Sequence, residues 1–240
     1  MSISELLKHH VGFDGDLNRN VAGMTAGQDP FDDLETSPED RAYALVLESR
    51  TRESSSDPII EKPFLYGVAP AWPFLPECWH GTRYSDGTRF GVWYGSPELH
   101  TTVHETAYHW LHFITDSFPG PTGEIIGDRH IFLVHGQSEL VDLRGREQDF
   151  PALVHPQSYA QTQPLGKLAH ERGEQGLLTP SARHAGGINA AIFRQSALSR
   201  ARNHCHLTYR WKPEIDSVTV ERSPGRTWLR LRASELLGSL

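Results

Sequence analysis

Two short stretches of the chain carry the side chains best suited to chemistry. The first, residues 81–109, places two arginines in a glycine-flanked loop, then an aromatic residue and a carboxylate: Arg83, Arg89, Tyr94 and Glu105. The second, residues 179–189, supplies a hydroxyl, an arginine and an amide: Ser181, Arg183 and Asn189. An arginine fork suits phosphate groups, and a carboxylate can stabilise developing positive charge. A working site would have to bring these separate segments together.

The residues after Tyr94 predict the helix that positions Glu105. Ser96 is a favourable N-cap, and Pro97 suits the first helical position. Glu105 lies on the face opposite the apolar stripe, where a solvated glutamate is the more common finding. The stripe recurs at helical spacing and predicts a buried face formed by Leu99, Val103, Ala107, Trp110, Leu111 and Ile114.

Short β-type runs surround this helix. A further helix is predicted over residues 158–172, where Pro164 must begin, kink or interrupt it. Strands outnumber long helices and follow a mixed order, which predicts an α+β fold. The predicted strands are 64–68, 91–94, 129–135, 139–143, 176–179, 188–193, 207–211, 217–221 and 227–231.

The first 60 residues differ in character from the rest. Residues 2–10 suit one short helix, and the Ser37-Pro38-Glu39-Asp40 capping pattern opens a second. A polar, serine-rich linker follows. We therefore interpret residues 1–60 as an N-terminal helical extension and linker, and residues 61–240 as the main domain.

Composition narrows the function classes. A formal charge of −7 over 240 residues argues against a general nucleic-acid binder. Two cysteines without a CxxC pattern support neither a disulfide framework nor a thiolate zinc site. No apolar run reaches membrane-spanning length and no signal-peptide pattern is present, so we expect a cytoplasmic protein with no membrane partner.

Common catalytic motifs are missing. The sequence contains no GxxxxGK[ST], no GxGxxG after a strand, no GxSxG and no HExxH. His104 and His109 point too far apart on one helix to share a metal ion, whereas Glu105, His109 and His112 share a face. A metal-dependent hydrolase using those three residues is therefore an open alternative.

Three blocks of residues, in order, resemble the RES domain family. The first is Gly-Thr-Arg-Tyr-Ser-Asp-Gly from residue 81, followed by Phe-Gly-Val-Trp-Tyr and by Thr102 and His104-Glu105-Thr106. The second runs from Pro180 to Phe193, and the third is His206-Leu-Thr-Tyr-Arg-Trp211. The resemblance covers residues 64–211.

The resemblance implies a split mixed β-sheet like that of ADP-ribosyltransferases, with flanking helices and NAD bound in a cleft. It implies an NAD-degrading toxin of a toxin–antitoxin pair, a phosphorylase or glycohydrolase that cleaves the nicotinamide–ribose bond. NAD would be the substrate, inorganic phosphate a candidate co-substrate, and no metal is expected. An antitoxin would cover the cleft, and any contact with nucleic acid would be made by the antitoxin. Whether the chain forms a homodimer is left open by the resemblance.

By motif position, the resemblance makes Arg83, Glu105 and Ser181 the catalytic candidates, with Tyr94 and Asn189 as binding neighbours. The sequence also departs from the family pattern at one position. Many members carry an arginine on the first strand of the domain, but residues 64–68 have none. Arg89 and Arg183 are the candidates to replace it, and a RES-like module that binds a nucleotide or partner without turnover is the alternative.

Overall fold

The computed structural model describes residues 2–22, 68–118, 120 and 122–238. The helices are α1 (Ile3–Leu6), α2 (Val68–Ala71), α3 (Leu99–Ser117), α4 (Thr162–Glu171) and α5 (Ala233–Leu237). The strands are β1 (His10–Ala22), β2 (Trp93–Gly95), β3 (Ile125–Asp142), β4 (Gly176–Pro180), β5 (Ile188–Ile192), β6 (Leu198–Lys212), β7 (Ser217–Ser223) and β8 (Arg226–Leu231). Short 3-10 helices occur at Trp72–Phe74, Pro76–Cys78, Pro151–Val154, Gln195–Ala197 and Pro213–Ile215.

The described strands form one mixed sheet in the order β2-β5-β4-β3-β6-β7-β8, and β1 also pairs with β3. All the pairings are antiparallel except β3 with β4, which is parallel. An isolated bridge between Asn18 and Ser96 links β1 to the end of β2. The pairings therefore run in a closed circuit, β3-β1-β2-β5-β4-β3. This circuit brings β1, β2, β4 and β5 to one place, and it confirms the predicted α+β class.

Helix α3 packs along the sheet through its predicted apolar stripe. Val103, Ala107 and Leu111 are fully buried, and Leu99 packs at the margin of the same cluster. Gly127 lets the sheet approach closely, since a Cβ there would lie 2.9 Å from the Trp110 ring. The stripe prediction is confirmed, and its burial holds the opposite face of α3 toward the junction of β2 and β5.

A second core lies beneath α4 and the loop that carries Arg83. It joins the helix to β3, β4 and α1 through fully buried side chains, including Tyr84, Leu153 and Leu165. Pro164 lies in the first turn of α4, where a missing N–H has no helical acceptor in any case. A Cβ at Gly166 would lie 1.9 Å from the Tyr84 carbonyl oxygen, so the loop rests directly on the helix.

Several sequence predictions need correction. Residues 10–22 form strand β1, paired with residues 129–141, so the helical interpretation of the N-terminal extension is wrong there. The predicted strands 129–135 and 139–143 are one continuous strand, β3, because Gly136 stays paired with Gly15 of β1 in an unbroken register. The short predicted helix near the N-terminus is present as α1.

The predicted cap of α3 is also wrong. Helix α3 begins after Glu98, and no side chain caps its N-terminus. Ser96 instead takes part in the circuit of strands described above. The predicted helix after Ser37 lies outside the described residues, as does most of the predicted strand 64–68; its last residue, Val68, begins α2. No helix among the described residues has the length and apolar character needed to cross a membrane.

Candidate active site

A cavity of about 570 Å³ opens where β1, β2, α3, β4 and β5 meet. We call it the central cavity. Five of the residues predicted from the sequence line it: Arg83, Tyr94, Glu105, Arg183 and Asn189. A sixth, Ser181, contacts the glutamate directly.

Glu105 is held by two neutral donors. Its Oε1 accepts hydrogen bonds from Ser181 Oγ at 2.6 Å and from Asn189 Nδ2 at 2.7 Å. Ser181 Oγ itself accepts the backbone N–H groups of Arg183 and His184, both at 3.1 Å, so its proton is directed to the glutamate. These contacts fix Oε1 and leave Oε2 without a hydrogen-bond donor in the described part of the chain.

The orientation of the Asn189 amide is fixed from the other side. Ser96 Oγ donates to Asn189 Oδ1 at 2.5 Å, which assigns the amide NH₂ to Glu105. Ser96 is in turn held against β1, because its backbone N–H donates to the Asn18 carbonyl oxygen at 3.1 Å. A hydrogen-bonded chain from β1 to α3 therefore sets the position of the carboxylate.

Arg83 lies in a tightly braced loop. Gln163 of α4 donates from Nε2 to the carbonyl oxygens of Thr82 and Ser85, at 3.0 and 3.3 Å. The Arg83 guanidinium donates to the carbonyl oxygens of Leu153 and His155, at 3.2 and 3.0 Å. It also lies 4.8 Å from the centre of the Tyr159 ring. These partners are all neutral, so Arg83 keeps its full positive charge toward the central cavity.

Arg183 also contacts the loop at residues 153–156. Its guanidinium donates to the Pro156 carbonyl oxygen and lies 3.3 Å from the centre of the Tyr108 ring. Burial lowers the pKa of Arg183 below its usual range. Within the described residues, neither Arg83 nor Arg183 forms an ion pair with a carboxylate.

Arg19 of β1 is a cavity residue that the sequence prediction missed. Its Nη1 donates to the Tyr94 carbonyl oxygen at 2.8 Å, and its guanidinium lies 5.6 Å from the Trp93 ring centre. Burial lowers the pKa of Arg19 to about 10. Its Nε finds no hydrogen-bond partner among the described residues. Arg19 therefore offers the central cavity a partly buried cation that forms no ion pair within the described part of the chain.

The two residues that flank Arg19 in β1 are also polar. Asn18 and Asn20 also line the central cavity, and each has an Oδ1 without a partner in the described part of the chain. Asn18 Nδ2 donates to the carbonyl oxygens of Ser96 and Pro97, at 3.1 and 3.0 Å, which fixes its amide. Strand β1 thus contributes three consecutive polar residues to the wall.

The Tyr94 phenol contacts the loop that carries Arg83. Its phenol donates to Thr82 Oγ1 at 3.0 Å and accepts the Tyr84 backbone N–H at 3.3 Å. Burial raises the pKa of Tyr94 well above its usual value. Tyr84 is fully buried, with its pKa raised to about 12, and its phenol hydrogen-bonds Thr179 Oγ1 at 2.5 Å. Both tyrosines brace the Arg83 loop against the sheet.

Arg89 does not reach the central cavity. It pairs with Glu171 of α4 at 3.5 Å, and both side chains are more than half exposed. A surface position makes Arg89 unsuitable as a replacement anchor for phosphate. The structure brings Arg19 and Arg183 to the cavity instead.

The arrangement expected for the metal hydrolase alternative is absent from the described residues. No three histidine, cysteine or acidic side chains among them form a group that could hold a metal ion. Glu105 directs Oε1 to Ser181 and Asn189, while the His112 ring packs edge-on against Tyr108 with centres 4.5 Å apart. The geometry gives no support to a shared Glu105–His109–His112 site.

Comparison with known proteins identifies the family. A model of the RES domain matches residues 61–212, well over half of the chain. The chain belongs to the RES domain family. The match confirms the resemblance seen in the sequence, and the matched part of the RES domain includes Arg83, Glu105, Ser181 and Asn189. Strand β1 and Arg19 lie outside it.

Among solved structures, this RES chain is similar to a chain of the crystal structure of the M. tuberculosis MbcT–MbcA toxin–antitoxin complex. The alignment covers 89% of this chain and 91% of that chain, with 12% sequence identity and a TM-score of 0.42. No curated protein matches the chain.

Proposed function

We propose that this RES-domain chain is an NAD-consuming enzyme that cleaves the bond between nicotinamide and ribose and acts as the toxin of a toxin–antitoxin pair. The observation that carries this proposal is the pairing of charges in the central cavity. Among the described residues, Glu105 accepts hydrogen bonds only from the neutral donors Ser181 and Asn189, while Arg83 and Arg183 contact carbonyl oxygens and aromatic rings and form no ion pair. Unneutralised charges of both signs suit a substrate with a cationic reacting centre and an anionic diphosphate.

The glutamate suits the breaking of a glycosidic bond. As the C–N bond breaks, its electron pair leaves with the nicotinamide ring nitrogen, and the ribose develops oxocarbenium character. A carboxylate beside that ribose stabilises the positive charge. Glu105 Oε2 is the atom assigned to this contact, because Oε1 is already held by Ser181 and Asn189. Water or phosphate then adds at the ribose carbon.

The arginines suit the diphosphate. A guanidinium presents N–H donors in a fixed fork that matches phosphate oxygens. Arg83 and Arg183 each use part of the fork to hold the loop at residues 153–156, which pre-organises the remaining N–H groups. Arg19 adds a buried donor from β1 and takes the part of the missing first-strand arginine.

Incubation of purified protein with NAD tests the proposal. Nicotinamide release that requires inorganic phosphate, with ADP-ribose 1-phosphate as the second product, indicates phosphorolysis. Release without phosphate indicates a glycohydrolase or a transferase. NAD that binds but is not consumed indicates the non-catalytic binding module, and loss of activity on chelation would favour a metal enzyme. A chain that neither binds nor consumes NAD would refute the proposal.

The toxin role has its own test. Expression of the chain in bacteria should deplete NAD and stop growth, and co-expression of the protein from the adjacent reading frame should restore both. We expect that partner to co-purify and to block access of NAD to the central cavity. A complex through which NAD still reaches Glu105 at the free rate would contradict the role of the partner as an antitoxin.

A further inference from the structure

Trp72 is an exposed aromatic side chain at the wall of the central cavity. Its side chain is 53% exposed. The described residues include other large exposed apolar side chains, but Trp72 is the one that lines this cavity. An indole left open to water at the wall of a cavity is a typical surface for a flat ligand ring.

The segment that carries Trp72 is held rigidly. It consists of two 3-10 helices that begin near Pro73 and Pro76, and Trp79 Nε1 donates back to the Phe74 carbonyl oxygen at 3.3 Å. The segment packs flush on Gly91, where a Cβ would lie 1.6 Å from the Pro73 carbonyl oxygen. These backbone contacts fix the position of Trp72 at the cavity wall, so a ligand has only the two side-chain torsions of the indole left to order.

We propose that Trp72 is the stacking surface for the adenine base of the dinucleotide. This inference rests on the proposed function. In that assignment Glu105 lies beside the nicotinamide ribose and the arginines meet the diphosphate, so the remaining flat group of the substrate is the adenine. Every base has a π face that stacks on an aromatic side chain, and such stacking needs no hydrogen-bond partners.

Binding measurements with three ligands test the assignment. Trp72→Ala should weaken binding of NAD and of AMP by about five- to a hundredfold, the range typical of one base–aromatic stack. Nicotinamide mononucleotide, which lacks the adenosine half, should bind the variant within about twofold of wild type. Leu75→Ala is the matched control, because Leu75 is 39% exposed on the same segment and lies outside the cavity wall. It should change none of the three affinities.

Two further variants show whether a loss of affinity in Trp72→Ala comes from the missing ring or from a folding defect. Trp72→Leu, which keeps an apolar side chain but no π face, should lose affinity similarly, and Trp72→Phe should retain most of it. Equal affinities for NAD in Trp72→Ala and Leu75→Ala would overturn the inference, as would an equal loss for nicotinamide mononucleotide. Wild-type protein that binds none of these nucleotides would refute the proposed function itself, and with it the adenine site.

Discussion

Replacing Glu105 by glutamine isolates the charge of the carboxylate from its hydrogen bonds. Both neighbours of Oε1 are obligate donors: the Ser181 hydroxyl accepts two backbone N–H groups, and the Asn189 carbonyl oxygen is occupied by Ser96. The glutamine carbonyl oxygen can take both bonds, which directs its NH₂ to the place of Oε2. The variant should therefore fold normally and differ from wild type by one negative charge.

The expected effect follows from that charge. A carboxylate and a full positive charge about 3.5 Å apart interact by about 5 kcal/mol at an effective dielectric constant of about 20. The nicotinamide ring of NAD is already cationic before the bond breaks, so only part of this energy distinguishes the transition state from bound substrate. Loss of one such electrostatic contact typically costs a hundred- to a thousandfold in rate. We expect Glu105→Gln to lower turnover by at least about a hundredfold.

The assay is nicotinamide release at saturating NAD, with NAD affinity measured separately by calorimetry. Turnover should fall by a larger factor than NAD affinity, because only part of the charge interaction is already made with the cationic ring of bound NAD and the hydrogen bonds to Ser181 and Asn189 are kept. Glu98→Gln is the matched control, since Glu98 is exposed at the start of α3. A Glu105→Gln variant with a native thermal transition and near-wild-type turnover would remove this carboxylate from the mechanism.

Three other predictions concern two arginines of the central cavity and one histidine of α3. Arg83→Ala should lower turnover by at least about a hundredfold, whereas Arg89→Ala, on the surface beside Glu171, should match wild type in the same nicotinamide assay. Arg19→Met should weaken NAD binding by about ten- to a hundredfold in calorimetry, the worth of one charge-assisted hydrogen bond, and unchanged affinity would contradict a role in binding. Burial lowers the pKa of His104 below its ordinary value of about 6.5, so the unfolded chain binds its proton first as pH falls. The neutral His104 therefore contributes its full share of stability above pH 6.5, and this share is lost as the pH falls below that value. Denaturant titrations should show that the free energy of unfolding declines less between pH 7 and 5 for His104→Gln than for wild type. An unchanged decline would contradict this prediction.

The elements that were predicted correctly are those with a strong local pattern. The apolar stripe of α3 repeats over four turns, and burial of that stripe decides the helix regardless of its cap. The cap itself was predicted wrongly, because the Ser96 hydroxyl has a better partner in Asn189, 93 positions away in the chain. A tertiary contact of that separation leaves no trace in the local sequence.

Strand β1 was missed for a related reason. Its aspartates, asparagines and glycines are poor strand formers, and a strand of such composition is stabilised by its neighbours, not by propensity. A signal was nevertheless present: Val11, Phe13, Leu17 and Val21 alternate with polar residues at period two, and Arg19 falls on their face. Because Arg19 takes an apolar position in this alternation, the pattern could have predicted a cation on the inner face of β1. It could therefore have identified Arg19 as a candidate for the arginine that residues 64–68 lack.

The neutral partners of the charged residues explain why so much of the wall is built from amides, hydroxyls and carbonyl oxygens. Had Arg183 paired directly with Glu105, the two charges would have stabilised each other, and a substrate would have had to break that pair before either could act. Ser181 and Asn189 position the carboxylate without cancelling its charge, and backbone carbonyl oxygens do the same for Arg83 and Arg183. Keeping these charges unpaired makes the free energy of folding less favourable. A ligand that carries both a cation and a diphosphate pairs with them and so stabilises the folded protein on binding. For that reason we expect NAD to raise the thermal stability of the wild-type protein more than that of Glu105→Gln.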